Sequence, residues 1–255
     1  MSASAERVLD ILSFLAEQPD GATLKDITSA TAISRATAYR TTAALIDSGW
    51  VLVNGTPTRY FASRRVAQLG LAMLRQDGVR EAILPNAIDL ARVVGCVCML
   101  AFYEAGDAVY TDAIEVFGER VMPTPSGVRR PAFATACGKI LLSTLGTDEI
   151  QRILAAAEVG FTATDSFNSQ SLYAEIRLAR DRGYAVSNRE FSKTASGIAV
   201  PIFGRDGKVA AAIGVHADSG VDDDFVARVL PTALEFARKA SAELGHRSPR
   251  RSALP

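Results

Sequence analysis

The stretch from Leu24 to Trp50, LKDITSATAISRATAYRTTAALIDSGW, constrains this chain more than any other. Leu24 to Ala30 has the composition of one short helix, and Ile33-Ser34 interrupts it. Ser34 is then placed as the N-cap of a second helix running to about Ser48. Two short helices joined by a tight turn are the helix-turn-helix pattern, whose second helix is available to a DNA major groove. On that helix Ala38, Thr41/Thr42 and Leu45 recur at helical spacing as the buried stripe. Arg35, Ala36, Tyr39, Arg40 and Ala43 share the outward face, two guanidiniums among small residues. Trp50-Val51-Leu52-Val53 and Tyr60-Phe61-Ala62 are β-prone runs around the turn-rich Asn54-Gly55-Thr56-Pro57-Thr58-Arg59, a hairpin in the position of a wing. Arg59 at its root is expected to reach a minor groove or a phosphate.

Charge supports this reading locally, not globally. The chain balances 28 Lys+Arg against 28 Asp+Glu, yet from Ser34 to Arg65 the arginines at 35, 40, 59, 64 and 65 face Asp47 alone, a positive field suited to phosphates. With 255 residues, 48% hydrophobic and 22% charged, the chain has room for two globular domains. The N-terminal MSASAERVLDILSFLAE carries Glu6 and Asp10 in an amphipathic period, unlike a signal peptide. The longest uncharged apolar run, Val93 to Tyr103, is too short to span a bilayer. Cys96, Cys98 and Cys137 show neither disulfide nor zinc spacing, which fits a reducing cytoplasm. No cofactor or metal site is expected.

Taken in order, Arg7 to Leu15 reads as a first helix, stopped at Pro19-Asp20-Gly21, with Thr23 capping the next one at an end suited to a phosphate. Arg64 to Gln76 reads as a connecting helix, apolar on several sides, for which a second copy of the chain is the natural cover. Beyond Val79 the expected elements are a helix over Ala82–Val94, strands over Cys96–Tyr103 and Ala108–Glu115, and an irregular segment from Phe117 to Pro131 containing Pro123, Pro125, Gly118 and Gly127. Helices follow at Thr135–Leu145, Asp148–Ala157 and Ser171–Arg182. Strands follow at Tyr184–Phe191, Ser196–Phe203 and Val209–Ala217, then a helix at Asp223–Leu244 and a frayed basic tail.

These residues carry a likeness. The chain resembles the IclR family of bacterial transcription regulators over nearly its full length, in RVLDIL (Arg7–Leu12), SRATAYR (Ser34–Arg40), DSGWV (Asp47–Val51) and RYFASRRVAQLG (Arg59–Gly70). In the C-terminal part it does so in RRPAFATACGKILLS (Arg129–Ser143), RDRGYAV (Arg180–Val186), GIAVPIF (Gly197–Phe203) and GKVAAAIGV (Gly207–Val215). The resemblance implies an α+β protein: a winged helix-turn-helix domain at residues 1–63, a connecting helix at 64–78, a profilin-like or GAF-like effector domain with an antiparallel sheet flanked by helices at 79–246, and a tail at 247–255. It implies a cytoplasmic dimer or dimer of dimers that binds double-stranded operator DNA, a repressor of a catabolic operon. Candidate DNA contacts are Thr23, Ser34, Arg35, Thr37, Tyr39, Arg40 and Arg59. The family ordinarily has a bulky aliphatic where Thr42 stands, which implies a looser helix core.

The family's effector site, carried onto this sequence, falls at Ala136, Cys137, Ser187, Gly197, Gly214 and His216, with Arg130 in the loop before the helix. Members that bind small acids put an acidic residue, a cysteine and hydroxyls where this chain has Ser187, Gly197, Gly214 and His216. The helix N-terminus near Thr135 offers a carboxylate free amides and a positive dipole end. Arg130 and His216 are anion partners, and Phe102 and Phe133 an apolar wall. The two glycines make room for a ligand larger than a two- or three-carbon acid: an aromatic or similarly sized carboxylate, or an acyl derivative. The rival reading is an enzyme or redox sensor built on Cys137, with its thiol activated at the helix end. No acid–base constellation accompanies that thiol, so a non-enzymatic regulator is the expectation.

Overall fold

The computed structural model describes residues 3–118, 120–160, 168–191 and 195–246, and these divide into two compact units, one up to Asp77 and one from Gly78 onward. The tail expected at residues 247–255 lies outside the described residues.

In the first unit, helices α1 (Ala3–Ala16), α2 (Leu24–Thr31) and α3 (Arg35–Asp47) precede a hairpin of β1 (Val51–Asn54) and β2 (Arg59–Ala62), and then α4 (Arg64–Gln76). Ile11, Leu15, Ile27, Ala38, Leu45, Val51 and Tyr60 are its buried core. Thr23 and Asp26 cap α2 reciprocally: the Asp26 N–H donates to Thr23 Oγ1 at 3.3 Å and the Thr23 N–H to the Asp26 carboxylate at 2.9 Å. Those hydrogen bonds hold the Asp26 carboxyl below its usual range. Ala32, in the left-handed region at φ 53°, ends α2. Ser34 then caps α3 by accepting from the Thr37 N–H at 3.3 Å. Thr42 is only 1% exposed, yet its hydroxyl donates to the Ala38 carbonyl at 2.8 Å. The polar atom is therefore absorbed by its own helix, which offsets the lost aliphatic. The wing gains a third partner at Ala22, whose N–H donates to the Tyr60 carbonyl at 2.9 Å.

The second unit starts with α5 (Gly78–Val94) and runs through β3 (Cys98–Glu104), β4 (Asp107–Phe117), β5 (Arg120–Pro131), a 3₁₀ turn (Ala132–Ala134), α6 (Ala136–Leu142), α7 (Thr147–Gly160), α8 (Ser169–Arg182), β6 (Ala185–Asn188), β7 (Ser196–Phe203), β8 (Val209–His216) and α9 (Asp223–Glu243). All six strands form one antiparallel sheet in the order β5-β4-β3-β8-β7-β6. Within the segment expected to be irregular from Phe117 to Pro131, Phe117 instead ends β4 and Arg120–Pro131 is β5. Pro123 and Pro125, inside the strand, are tolerated because β5 lies at the sheet edge. Pro123 and Pro125, two apart, put their missing donors on the same side of the strand, and an edge has a side with no ladder partner.

The period-two pattern of the strands divides the core. Leu100, Ile114, Ile198, Val200, Ile202, Ile213 and Val215 face one way and pack with Ile83, Leu90 and Val229 of α5 and α9. Ala101, Ala108, Ala185, Ala199 and Ala212 face the other way, against Ala136, Cys137, Ile140 and Leu141 of α6. A surface of alanines lets a helix approach closely, and α6 has no buried residue larger than Lys139 in the way. A methyl group on Gly138 would lie 2.0 Å from the Ala132 carbonyl oxygen. The helix expected from Thr135 to Leu145 is accordingly shorter, with Thr135 outside it as the cap whose hydroxyl accepts from the Gly138 N–H at 3.1 Å.

Candidate functional site

A hollow of about 320 Å³ opens where the first turn of α6 meets the alanine-rich face of the sheet, at the lower end of the ~300–1,000 Å³ usual for small-molecule sites. Every strand of the six-stranded sheet contributes: Val128 and Arg130 from β5, Tyr110 from β4, Met99 from β3, Gly214 and His216 from β8, Gly197 from β7, Ser187 from β6. Thr135, Ala136 and Cys137 form the helical side, and Phe191, beyond β6, closes another. No aspartate or glutamate is among the described lining residues.

Of the effector residues carried over from the resemblance, Arg130, Ala136, Cys137, Ser187, Gly197, Gly214 and His216 come together here. Arg130 sits on a strand, not in a loop. Phe102 and Phe133 do not join them. Phe102 follows the alternation of β3 onto the opposite face, packed against the aliphatic core. Phe133 is buried with Leu142, Ile150, Leu154 and Ile176 under α7 and α8. The aromatic wall comes instead from Tyr110 and Phe191. Tyr110 was legible in principle, since Ala108 and Tyr110 share a phase of β4; Phe191, past the end of its strand, has no periodic signal.

The two glycines also act differently from the expectation. A methyl group on Gly214 would lie 2.6 Å from the Cys137 Sγ, and one on Gly197 would lie 2.6 Å from the Val215 carbonyl oxygen. Protein atoms occupy the room the absent side chains leave, so these glycines permit close packing and do not enlarge the hollow.

The electrostatics are one-sided. Burial pushes the Cys137 thiol up to about 12, against the smaller opposing effect of a hydrogen bond with the Tyr110 hydroxyl. The thiol is therefore protonated at neutral pH, the reverse of what nucleophilic or redox chemistry requires. Burial likewise raises the Tyr110 phenol well above its usual range, while its hydrogen bond with Thr135 and the charge of Arg130 act to lower it. Ser187 donates to the Ala134 carbonyl at 3.4 Å. His216 Nε2 lies 3.3 Å from the exposed Asp218 carboxylate. The Arg130 guanidinium lies 4.7 Å from the centre of the Phe191 ring and donates from Nη1 to the Arg129 carbonyl at 3.0 Å. Among the described residues no metal-ligating cluster of His, Cys, Asp or Glu is present.

In the first unit, α3 buries Ala38, Thr42 and Leu45, whereas Arg35, Ala36, Tyr39 and Arg40 are exposed. Tyr39 is 61% exposed. Thr41, one of the pair expected on the stripe, is only half-buried. Several candidate contacts are committed elsewhere. The Ser34 hydroxyl donates to Thr37 Oγ1 at 2.9 Å, and the Thr23 hydroxyl is held by Asp26 at 2.8 Å. Arg59 donates from Nη1 to the carbonyls of Gly21 at 2.9 Å and Asp20 at 3.3 Å, bracing the wing against the turn after α1. Arg65 stacks on Trp50 at 5.0 Å and donates to the Ser48 carbonyl at the end of α3.

A winged helix-turn-helix followed by a separate domain with a ligand-sized hollow is the build of a DNA-binding transcriptional regulator. The profile described as "IclR helix-turn-helix domain" matches residues 4–55, and that described as "Bacterial transcriptional regulator IclR C-terminal" matches residues 71–242. The chain belongs to the IclR family of bacterial transcriptional regulators. It is 31% identical over 220 residues to "Probable transcriptional regulator SauR" of Cupriavidus necator, covering 84% of this chain and 86% of that protein. It is 25% identical over 245 residues to the HTH-type transcriptional regulator XynR of Escherichia coli, covering 95% of this chain and 97% of the other. Among solved structures, a transcriptional regulator of Alicyclobacillus acidocaldarius superposes with a TM-score of 0.79 at 22% identity, covering 96% of this chain and all (100%) of that one. An IclR homologue of Microbacterium hydrocarbonoxydans complexed with 4-hydroxybenzoate does so with a TM-score of 0.72 at 19% identity, covering 95% and 99%. These two likenesses concern the fold. No helix among the described residues is long and apolar enough to cross a membrane.

Proposed function

We propose that this protein is a cytoplasmic, ligand-responsive repressor of a catabolic operon whose effector is a small organic acid or acyl derivative, and that it is not an enzyme. The observation that carries the reading is the lining of the hollow: a guanidinium, an imidazole, several hydroxyls and, among the described residues, no carboxylate. Such a site is matched in charge by an anion and by little else. The 4-hydroxybenzoate held by the Microbacterium hydrocarbonoxydans relative supports the ligand class. The high thiol pKa of Cys137 speaks against covalent chemistry.

On the DNA side, Arg35 and Arg40 are the base or phosphate contacts of α3, joined by Tyr39. Thr23, Ser34, Thr37 and Arg59 shape the surface that carries them more than they touch DNA. The protein works as a dimer or dimer of dimers, since α4 buries none of its residues and leaves Leu69, Leu71 and Met73 exposed. Effector binding alters DNA affinity only if it favours one arrangement of the oligomer over another.

The test pairs two measurements on the full chain. A screen of aromatic and aliphatic carboxylates by thermal melting reads binding to the folded state, and titration of promoter DNA at several salt concentrations reads release. A carboxylate that raises the melting midpoint and weakens DNA binding, with both effects lost in Arg130→Gln and His216→Ala, supports the reading. Midpoints unmoved by every acid, or variants that respond as the parent does, refute it.

A further inference from the structure

We propose that Arg130 and Phe191 act as one specificity element selecting a planar aromatic monocarboxylate, and that Glu190, anchored on the buried ammonium of Lys139, is the positioning residue that holds it. The inference rests on reading the hollow as the effector site.

β5 and β6 lie at opposite edges of the sheet, five strand spacings or about 24 Å apart if the sheet were flat. Even so, the guanidinium of Arg130 on β5 and the ring of Phe191, just beyond β6, are 4.7 Å apart. The contact therefore spans the hollow from one margin to the other. A guanidinium laid on an aromatic face has its plane fixed, and Nη1 is tied to the Arg129 carbonyl at 3.0 Å. A cation held at two points on one side presents its remaining edge in a defined direction, the geometry that a carboxylate reads.

Neighbouring cations make the contrast. Arg129 is paired with Asp107 at 2.7 Å and Glu104 at 3.3 Å, and Arg80 with the buried Asp112. Arg130 has no carboxylate partner among the described residues, and His216 already has Asp218 beside it. One unmatched charge calls for one carboxylate. The shape is set by the rings of Tyr110 and Phe191 and by bare backbone at Gly197, flat surfaces that suit a flat ligand.

Phe191 packs against the buried cluster of Phe133, Leu142 and Ile176, and its neighbour Glu190 supplies an ionic anchor beside it. Glu190 Oε2 lies 2.5 Å from Lys139 Nζ, and Lys139, 1% exposed, also pairs with Glu175 and donates to the Val186 carbonyl at 3.3 Å. Lys139 belongs to α6, whose first turn borders the hollow. The base of the same loop is pinned by the Arg189 N–H donating to the Ala195 carbonyl at 3.0 Å and by Ser196 Oγ donating to Asn188 Oδ1 at 3.0 Å. The helix on one side of the ligand site thus sets the position of the aromatic ring on the other.

Calorimetric titration of the full-length protein with 4-hydroxybenzoate and its neutral isostere 4-hydroxybenzamide tests this. The parent is expected to prefer the carboxylate. Phe191→Leu, which keeps apolar cover and leaves the Lys139 cluster intact, and Glu190→Gln are each expected to reduce that preference roughly tenfold, the scale of one charge-assisted hydrogen bond. General loosening lowers both affinities together and leaves their ratio alone, so the ratio separates positioning from stability. A parent that binds the carboxylate, with the ratio unchanged in both variants, overturns this inference alone. A parent that binds neither compound overturns the aromatic-acid reading of the hollow as well.

Discussion

The two faces of the six-stranded sheet come from the same strands and differ in the size of what they carry. One presents Leu100, Ile114, Ile198, Val200, Ile213 and Val215 to α5 and α9 and is sealed. The other presents Ala101, Ala199, Ala212, Gly197 and Gly214, admits α6 at short range, and keeps a hollow at its margin. Small residues do not make a cavity by themselves: at Gly214 the space is already taken by Cys137. A cavity arises beside the first turn of a helix seated by those small residues, where the helix does not cover the neighbouring strands.

The comparison is broken most severely at Gly138. Its substitution by Ala drives a methyl group into backbone at 2.0 Å, so Gly138→Ala is expected to lose more than about 3 kcal/mol in urea unfolding, above the ordinary cost of overpacking. If the variant keeps the parent's midpoint, α6 is not seated by that glycine. On the sealed face, Leu100→Ala should cost about 2–5 kcal/mol by leaving a cavity, with ligand affinity unaffected because Leu100 faces away from the hollow. Gly214→Ala is smaller in effect, about 1–3 kcal/mol, since the atom it meets is the end of a side chain. Adding Cys137→Ala should recover most of that loss, a coupling that a double-mutant cycle measures. Additive costs would mean that Gly214 serves the ligand and not the helix.

The mildest test is pH. Burial pushes the folded Cys137 thiol up to about 12, well above the usual thiol range, so the folded state holds its proton after the unfolded chain has released it. Its contribution to stability is fully present at neutral pH and is lost as pH rises from about 9 towards 12. Cys98 and Tyr110, raised mainly by burial, act in the same direction. Unfolding midpoints should therefore fall more steeply with alkaline pH in the parent than in Cys137→Ala. Native Cys137 should also resist iodoacetamide at pH 8, whereas fast alkylation would restore the thiol-sensor reading.

Much of the first unit was legible because its determinants are local. Thr23 with Asp26, and Ser34 with Thr37, close their caps within three residues, and the buried stripe of α3 repeats with the helix. Even there, the sequence shows Arg59 as a candidate phosphate contact and Arg65 only as part of a positive field, whereas the structure has them brace carbonyls of Gly21 and Ser48, since sequence reports a charge but not its nearest acceptor. In the second unit the strands were legible from alternation, except β5, whose prolines disguise an edge strand. Phe102, expected at the hollow, lies on the opposite face of β3, since one step of phase sends a side chain to the other side of a sheet. Phe133 lies near Cys137 in the chain, yet the 3₁₀ turn directs it under α7.

Sequence by itself determined the order of the elements, the caps, the outward face of α3 and the family, because each depends on neighbours a few residues apart or on motifs in a fixed order. Only the tertiary structure decided that Arg130 lies on Phe191, that Cys137 fills the place of a Gly214 side chain, and that buried Lys139 holds Glu190. Those contacts join positions far apart in the chain, and their distances depend on how closely α6 settles on the sheet, a quantity set by packing and carried by no single residue.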